Sequence, residues 1–110
     1  AWTSSDGTLI ASGQPVSNIT AYAWNNLAAL VNQIRKANGY GTVTIPTVAS
    51  GSQITASLFN TMRGYIAGLT GAGSVTGNVA SGSIIYAAYF ANSTSALKEA
   101  VNRAAAAANQ

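Results

Sequence analysis

Histidine and cysteine are absent from this chain of 110 residues, and only two acidic residues occur in it. Charged residues make up 6% of the sequence, whereas a soluble domain averages about 25%. The two side-chain carboxylates, Asp6 and Glu99, stand 93 positions apart. Paired-carboxylate catalysis, a Ser-His-Asp triad, a Cys nucleophile and zinc or iron–sulfur sites are therefore nearly excluded. We expect a protein that is not an enzyme and that uses no metal or cofactor.

Long apolar runs and dense charge clusters are also missing. The most apolar run, Ile84–Ala91, has eight residues, far fewer than the ~20 that span a bilayer. The opening residues lack the charged and apolar regions of a signal peptide, so no membrane or secretory segment is expected. The net charge is +3, but the five cations are scattered. A nucleic-acid-binding protein typically carries a dense basic patch, so no direct nucleic-acid contact is expected either.

The sequence contains an internal repeat. Residues 48–59 and 79–90 are identical at eight of twelve positions, at an offset of 31. An earlier copy is visible at an offset of 35, because residues 19–25 align with residues 54–60. Such self-similarity indicates one structural unit used several times. The three copies occupy residues 13–39, 48–71 and 79–103.

The aligned positions predict which residues the copies share. One aromatic position is predicted to lie in the core, and it is occupied by Trp24, Phe59 and Phe90. The next position holds Asn25 and Asn60, while the third copy has Ala91 there and Asn92 after it. Two further apolar sets align: Val31 with Ile66 and Leu97, and Ile34 with Leu69 and Ala100.

Each copy is predicted to be a Gly/Ser loop followed by a helix, because apolar residues recur at i, i+3, i+4 and i+7. Thr20 and Thr55 stand where N-caps belong. Gly39 and Gly71 stand where the first two helices are expected to end. The third helix is predicted to run from about Tyr86 through Val101 into an Ala-rich end at Ala104–Ala108. The periodic residues are Leu27, Leu30, Val31 and Ile34; Leu58, Met62, Tyr65, Ile66 and Leu69; and Tyr86, Tyr89, Phe90, Leu97 and Val101.

The predicted fold is mainly α, a small three-helix bundle built from three loop–helix repeats with short extended connectors. Thr42–Pro46 alternates like a short strand. Glu99 and Arg103 have the spacing of an i,i+4 ion pair. Ala104–Ala108 suits close helix packing or a short exposed tail. The predicted organisation is an N-terminal arm at 1–12, a three-repeat helical domain at 13–103 and an Ala-rich C-terminal tail at 104–110.

Three groups of residues are candidates for a functional role. Asn25 and Asn60 are either a ligand-binding amide pair or, as we favour, partners for the backbone polar groups of the adjoining Ser-Gly loop. The loops Ser50–Ser52 and Ser81–Ser83 precede helices and are interpreted as turns rather than anion sites. Large aromatic residues are candidate interface anchors because tyrosine and tryptophan are enriched at interfaces. The hypothesised interface residues are Trp2, Tyr40, Tyr86 and Tyr89, with a core role left open for Tyr86 and Tyr89.

The shortage of charge favours a protein that assembles. Charge keeps free proteins soluble and apart, and a neutral polar surface costs less to desolvate against a partner. We therefore expect a structural subunit that forms homo-oligomers or binds a larger lattice.

The repeated unit Val/Ala-Ser-Gly-Ser-x-Ile-Thr-Ala-x-x-Phe-Asn, followed by a helix with Arg35 or Arg63, resembles repeats in small virion structural proteins of tailed bacteriophages. The resemblance implies a non-enzymatic capsid decoration (cement) protein or tail component, made in the host cytoplasm and located in the virion. Its partners would be itself and other virion proteins. Two alternatives remain: a receptor- or glycan-binding module at a tail or fibre tip, and a bacterial extracellular filament or surface-layer subunit.

Overall fold

The computed structural model describes residues 21–49, 54–82, 85–90 and 93–108. Within these ranges 56% of the residues are helical and no strand is present, which confirms the prediction of a mainly α fold. The N-terminal arm at 1–12, with Trp2 and Asp6, and the predicted N-cap Thr20 lie outside the described residues. The helices in the described ranges are α1 (Ala21–Ala37), α2 (Ala56–Ala67), α3 (Ala87–Phe90) and α4 (Leu97–Ala108).

Helix α1 follows the predicted apolar pattern and ends at the predicted glycine. The N–H of Tyr40 donates to the carbonyl of Arg35 over 2.8 Å, and the N–H of Gly39 donates to the carbonyl of Lys36 over 3.0 Å. Gly39 has a φ of 85°. These two bonds and the left-handed glycine form a Schellman motif, which satisfies carbonyls at the helix end. The buried residues of α1 are Trp24, Leu27, Ala28, Leu30, Val31 and Ile34.

Helix α2 begins at the predicted cap but ends earlier than predicted. The hydroxyl of Thr55 accepts a hydrogen bond from the N–H of Leu58 over 3.2 Å, which satisfies one of the free donors of the first turn. The C-cap is Gly68 rather than Gly71. Gly71 lies in the turn beyond it, with a φ of 85°.

The third predicted helix is two helices, so the prediction of one continuous helix is wrong. α3 is a single turn, and residues 93–96 form a turn before α4 begins at Leu97. The Ser93 hydroxyl donates to the carbonyl of Ala88 over 3.0 Å. The carbonyl of Ser95 accepts from the N–H of Thr76. The Ser93 side chain thus takes a carbonyl that a continued helix would use, while the backbone of Ser95 is bound to Thr76.

The strand predicted at Thr42–Pro46 is not formed. Burial does alternate within this segment, since Val43 is half-buried and Ile45 is 8% exposed while Thr42, Thr44 and Pro46 are exposed. The segment nevertheless pairs with no other strand in the described residues. We call residues 40–49 the first connector and residues 70–82 the second connector.

Helix α4 packs against α1, α2 and α3 and forms the centre of the core. Residues 104–108 continue α4, so the close-packing alternative for Ala104–Ala108 is confirmed and the separate tail predicted at 104–110 is wrong as far as Ala108. Ala104, Ala105 and Ala108 are all buried, and their small side chains let neighbouring elements approach closely. The aligned aromatic position lies in the core as predicted, because the exposed fractions are 0% for Trp24, 0% for Phe59 and 2% for Phe90.

No helix in the described ranges is long and apolar enough to cross a membrane.

Gly71→Ala should lower the free energy of unfolding by about 2–4 kcal/mol. A Cβ at this position would overlap the Cβ of Ala107, and a positive φ strains any residue with a Cβ. Urea unfolding followed by circular dichroism measures the change.

Gly64→Ala is the matched control, because a Cβ there meets nothing within 4 Å. In the interior of α2 the alanine should raise stability by up to ~1 kcal/mol. Equal effects of the two variants would contradict this account.

Candidate functional site

Asn25 and Asn60 bind the backbone of the two connectors in the same way. The Asn25 amide donates to the carbonyl of Val48 and accepts from its N–H, each over 2.9 Å. The Asn60 amide donates to the carbonyl of Val79 over 2.9 Å and accepts from its N–H over 2.8 Å. Both polar groups of one extended residue are thereby paired with one side chain. The amides are occupied by the chain itself, as the favoured interpretation of these two residues expected.

Asn32 makes the same contact, and the sequence interpretation missed it. Its amide donates to the carbonyl of Val43 and accepts from its N–H, each over 2.8 Å. Asn32 is seven residues after Asn25, two turns along one face of α1. The available signal was position: each of the three asparagines directly follows a residue that would be buried in a helix. We call Asn25, Asn32 and Asn60 the backbone-binding asparagines.

Two arginines extend these contacts by one helical turn. The Nε of Arg35 donates to the carbonyl of Gly41 over 2.8 Å, and the Nε of Arg63 donates to the carbonyl of Thr76 over 2.7 Å. Each arginine stands three residues after a backbone-binding asparagine, and its partner lies nearer the start of the connector. Each connector therefore runs back along its helix in the opposite direction. An Asn-x-x-Arg spacing marks this arrangement in α1 and in α2.

Arg103 joins α4 to the second connector and to the turn at residues 93–96. Its Nε donates to the carbonyl of Ala72, and its two terminal nitrogens donate to the carbonyls of Thr94 and Ser74, over 2.6, 2.6 and 2.7 Å. Gly73 lies against the guanidinium, since a Cβ there would be 3.2 Å from Nε. The sequence interpretation assigned Arg103 only to a pair with Glu99. The carbonyl contacts arise because a guanidinium presents several donors in one plane.

Most cations of the described residues are thus bound to backbone rather than free on the surface. Lys36 is exposed, while Lys98 is unexpectedly buried at 6% exposure. Arg35 also lies 5.8 Å from the ring centroid of Tyr40, within range of a cation–π contact. Apart from these cations, the exposed surface of the described residues consists mainly of neutral polar groups and small side chains.

The hypothesised interface tyrosines have different surroundings. Tyr40 and Tyr86 are 57% and 54% exposed. Tyr89 is half-buried and packs on Phe59, with ring centroids 6.1 Å apart. Tyr86 meets Tyr89 edge-on at 5.5 Å. Tyr22, at 81%, is the most exposed large apolar residue described, and the sequence interpretation did not select it. Trp2 lies outside the described residues.

No group of three or more His, Cys, Asp or Glu residues that could hold a metal occurs in the described ranges. The loop Ser50–Ser52 lies outside those ranges, as do Ser83, Ala91 and Asn92. Gly82 forms an exposed turn with a φ of 83°. The chemistry that the geometry displays is hydrogen bonding by side-chain amides and guanidinium groups to peptide groups.

No family model matches the chain, and no match was found among curated proteins or solved structures.

Asn25→Ala should destabilise the protein by about 1–3 kcal/mol, because the N–H and the carbonyl of Val48 lose their partner at a partly buried position. Urea unfolding measures the loss, and hydrogen exchange at Val48 localises it. Asn26→Ala is the matched control. Asn26 is half-buried in the same helix, and its side chain makes no hydrogen bond with the described residues, so its replacement should change stability by less than about 0.5 kcal/mol. Equal losses would show that the amide contact is unimportant.

Arg103→Lys should destabilise the protein by about 2 kcal/mol, because an ammonium cannot reproduce the planar arrangement that reaches three carbonyls. Arg35→Lys removes a guanidinium that binds one carbonyl at an exposed site, and it should cost less than about 1 kcal/mol. Thermal and urea unfolding of both variants test the difference. A smaller effect at position 103 than at position 35 would contradict the assigned role.

Proposed function

We propose that the chain is three loop–helix repeats whose helices pack as one small bundle, with α3 and α4 as the divided third helix. The burial of aligned positions supports this proposal. In the aromatic set and the two apolar sets described for the repeat, all three members have at most 6% exposure. The sets are Trp24, Phe59 and Phe90; Val31, Ile66 and Leu97; and Ile34, Leu69 and Ala100.

We further propose that the protein is a non-enzymatic structural subunit of a phage particle, which forms homo-oligomers and binds the virion surface as a decoration or tail component. The observation that carries the assembly role is the kind of surface present. The exposed large apolar residues in the described ranges are all tyrosines, namely Tyr22, Tyr40 and Tyr86. They stand on a surface from which Arg63 and Arg103 are withdrawn into backbone contacts. The phage assignment itself rests on the resemblance of the repeated unit.

Assembly on such a surface would proceed by burying tyrosine rings against neutral polar groups. Tyrosine adds a large apolar area with a hydroxyl that retains a hydrogen bond when it is covered. Neutral side chains cost less to desolvate than charges do. Tyr86 is the preferred anchor because it is exposed and its orientation is supported by Tyr89. Tyr89 itself contacts the core residue Phe59, so its replacement would also disturb the fold.

Tyr86→Ser should weaken self-association by about 30-fold, the equivalent of ~2 kcal/mol for an interface anchor. Light scattering and sedimentation over a concentration series measure association, and circular dichroism should remain unchanged because the ring is half exposed. Tyr86→Phe is the matched control, since it keeps the ring and should keep most of the affinity.

Two results would contradict the proposed function. The unaltered chain remaining monomeric at millimolar concentration would exclude a self-assembling subunit. Glycan binding by that monomer would favour the receptor-binding alternative instead. Electron microscopy of the assembled protein tests the particle assignment, because the symmetry around each subunit distinguishes a capsid site from a tail site.

A further inference from the structure

Asn38 and Gly39 form the one Asn-Gly pair of the sequence, and they lie in the turn that ends α1. An asparagine side chain can react with the backbone nitrogen of the next residue, because the attack closes a five-membered ring. Glycine is the most permissive next residue, since it has no side chain to crowd that nitrogen. The sequence therefore offers this reaction one favoured place.

The side-chain amide of Asn38 is available for such a reaction. It makes no hydrogen bond with the described residues, and Asn38 is half-buried beside the exposed Gly39. The amides of the backbone-binding asparagines are instead each held by two hydrogen bonds. Asn78 is exposed as well, but the nitrogen next to it belongs to the β-branched Val79 and donates to Asn60 over 2.8 Å. Asn38 thus combines a free amide with an uncrowded neighbouring nitrogen.

The attacking nitrogen is itself held in the Schellman motif at the end of α1. The N–H of Gly39 donates to the carbonyl of Lys36 over 3.0 Å, and the N–H of Tyr40 donates to the carbonyl of Arg35 over 2.8 Å. The Gly39 nitrogen can attack only after its hydrogen bond is released, so the turn must open first. Residues 39–42 are all exposed, and exposed helix ends open at a free energy far below that of global unfolding. The reaction therefore requires a local opening of the turn.

We propose that Asn38 is a site of spontaneous deamidation in the folded protein, reached through opening of the turn at Gly39. The Gly39 nitrogen forms a bond to Cγ of Asn38, the Cγ–Nδ2 bond breaks, and Nδ2 leaves as ammonia with the proton that the Gly39 nitrogen gives up. Water then opens the cyclic imide at either of its carbonyls, which gives aspartate or isoaspartate at position 38. The sequence of steps involves no oxidation or reduction. The inference goes beyond the proposed function and does not rest on it.

The two products would act differently on the end of α1. Isoaspartate routes the backbone through the former side chain and lengthens it by one atom, so the two hydrogen bonds of the Schellman motif can no longer both form. Aspartate keeps the backbone but adds a negative charge at the helix C-terminus, where the helix dipole disfavours it. Tyr40 directly follows the turn, and its exposed ring lies against Arg35. Formation of isoaspartate should therefore release the orientation of this ring.

Peptide mass mapping of the folded full chain, incubated at mildly alkaline pH, tests the site. The mass increase from amide to acid should appear first at Asn38, with both isoaspartate and aspartate among the products. Asn38→Gln is the matched control, because a glutamine side chain would have to close a six-membered ring and should show no conversion over the same period. Earlier conversion at Asn78, or no conversion at Asn38 in the folded chain, would overturn the proposal.

The local route is tested by a variant that changes the stability of the whole fold. Gly71→Ala, which is expected to lower the free energy of unfolding, should leave the rate of conversion at Asn38 within ~2-fold of the original, because the turn opens without the rest of the structure. A rate that rises in proportion to the unfolding equilibrium constant would show that the reaction requires global unfolding and would contradict the proposal.

Hydrogen exchange on the unaltered chain gives a second measurement that needs no variant. After correction for intrinsic rates, the amides of Gly39 and Tyr40 should exchange at least ~10-fold faster than that of the buried residue Val31, since they exchange through the local opening. In the isoaspartate form the amide of Tyr40 should exchange faster still, because its hydrogen bond to Arg35 is lost. Equal protection of Gly39 and Val31 in the unaltered chain would show that the turn does not open locally, and the proposal would fail.

Discussion

Each connector runs beside a helix, and no strand lies next to it within the part of the chain that the structure describes. Side-chain amides of that helix supply the hydrogen bonds that a neighbouring strand would supply in a sheet. A buried peptide group without a partner costs about 1–3 kcal/mol. Asn25, Asn32 and Asn60 remove that cost at both polar groups of one residue each. The apolar residues Ile45 and Val48 can therefore point into the core from segments that form no sheet.

The arginines connect this backbone pairing to the character of the surface. Arg35, Arg63 and Arg103 donate to connector carbonyls, so cations that would make a surface repel its neighbours are used to hold segments together. A chain with 6% charged residues has few others. Three of the five cations are thereby held against the backbone, and one of them, Arg35, also lies against the exposed ring of Tyr40.

The sequence was sufficient where local rules determine the structure. The 3.6-residue period located α1 and α2, and Thr55 and Gly39 act as the cap and terminal glycine that their residue types favour. The sequence was insufficient where contacts between distant segments determine the local structure. The division of the third helix depends on Ser95 binding Thr76, and the roles of Asn32 and Arg103 depend on carbonyls far along the chain. No periodicity encodes those pairings. Asn25 and Asn60 could be located because the repeat aligned them, whereas Asn32 has no aligned counterpart.

Recognition of peptide groups rather than side chains has a consequence for sequence change. The amide contacts at Val43 and Val48 specify where the backbone runs, but they place no demand on the exposed side chains of Thr42, Thr44, Pro46 and Thr47. Those positions are free to diverge as long as the asparagines and the inward apolar residues are kept. The outer face of a connector can accordingly acquire new charge, new aromatic groups or a new modification sequence while the helices beneath it keep their arrangement.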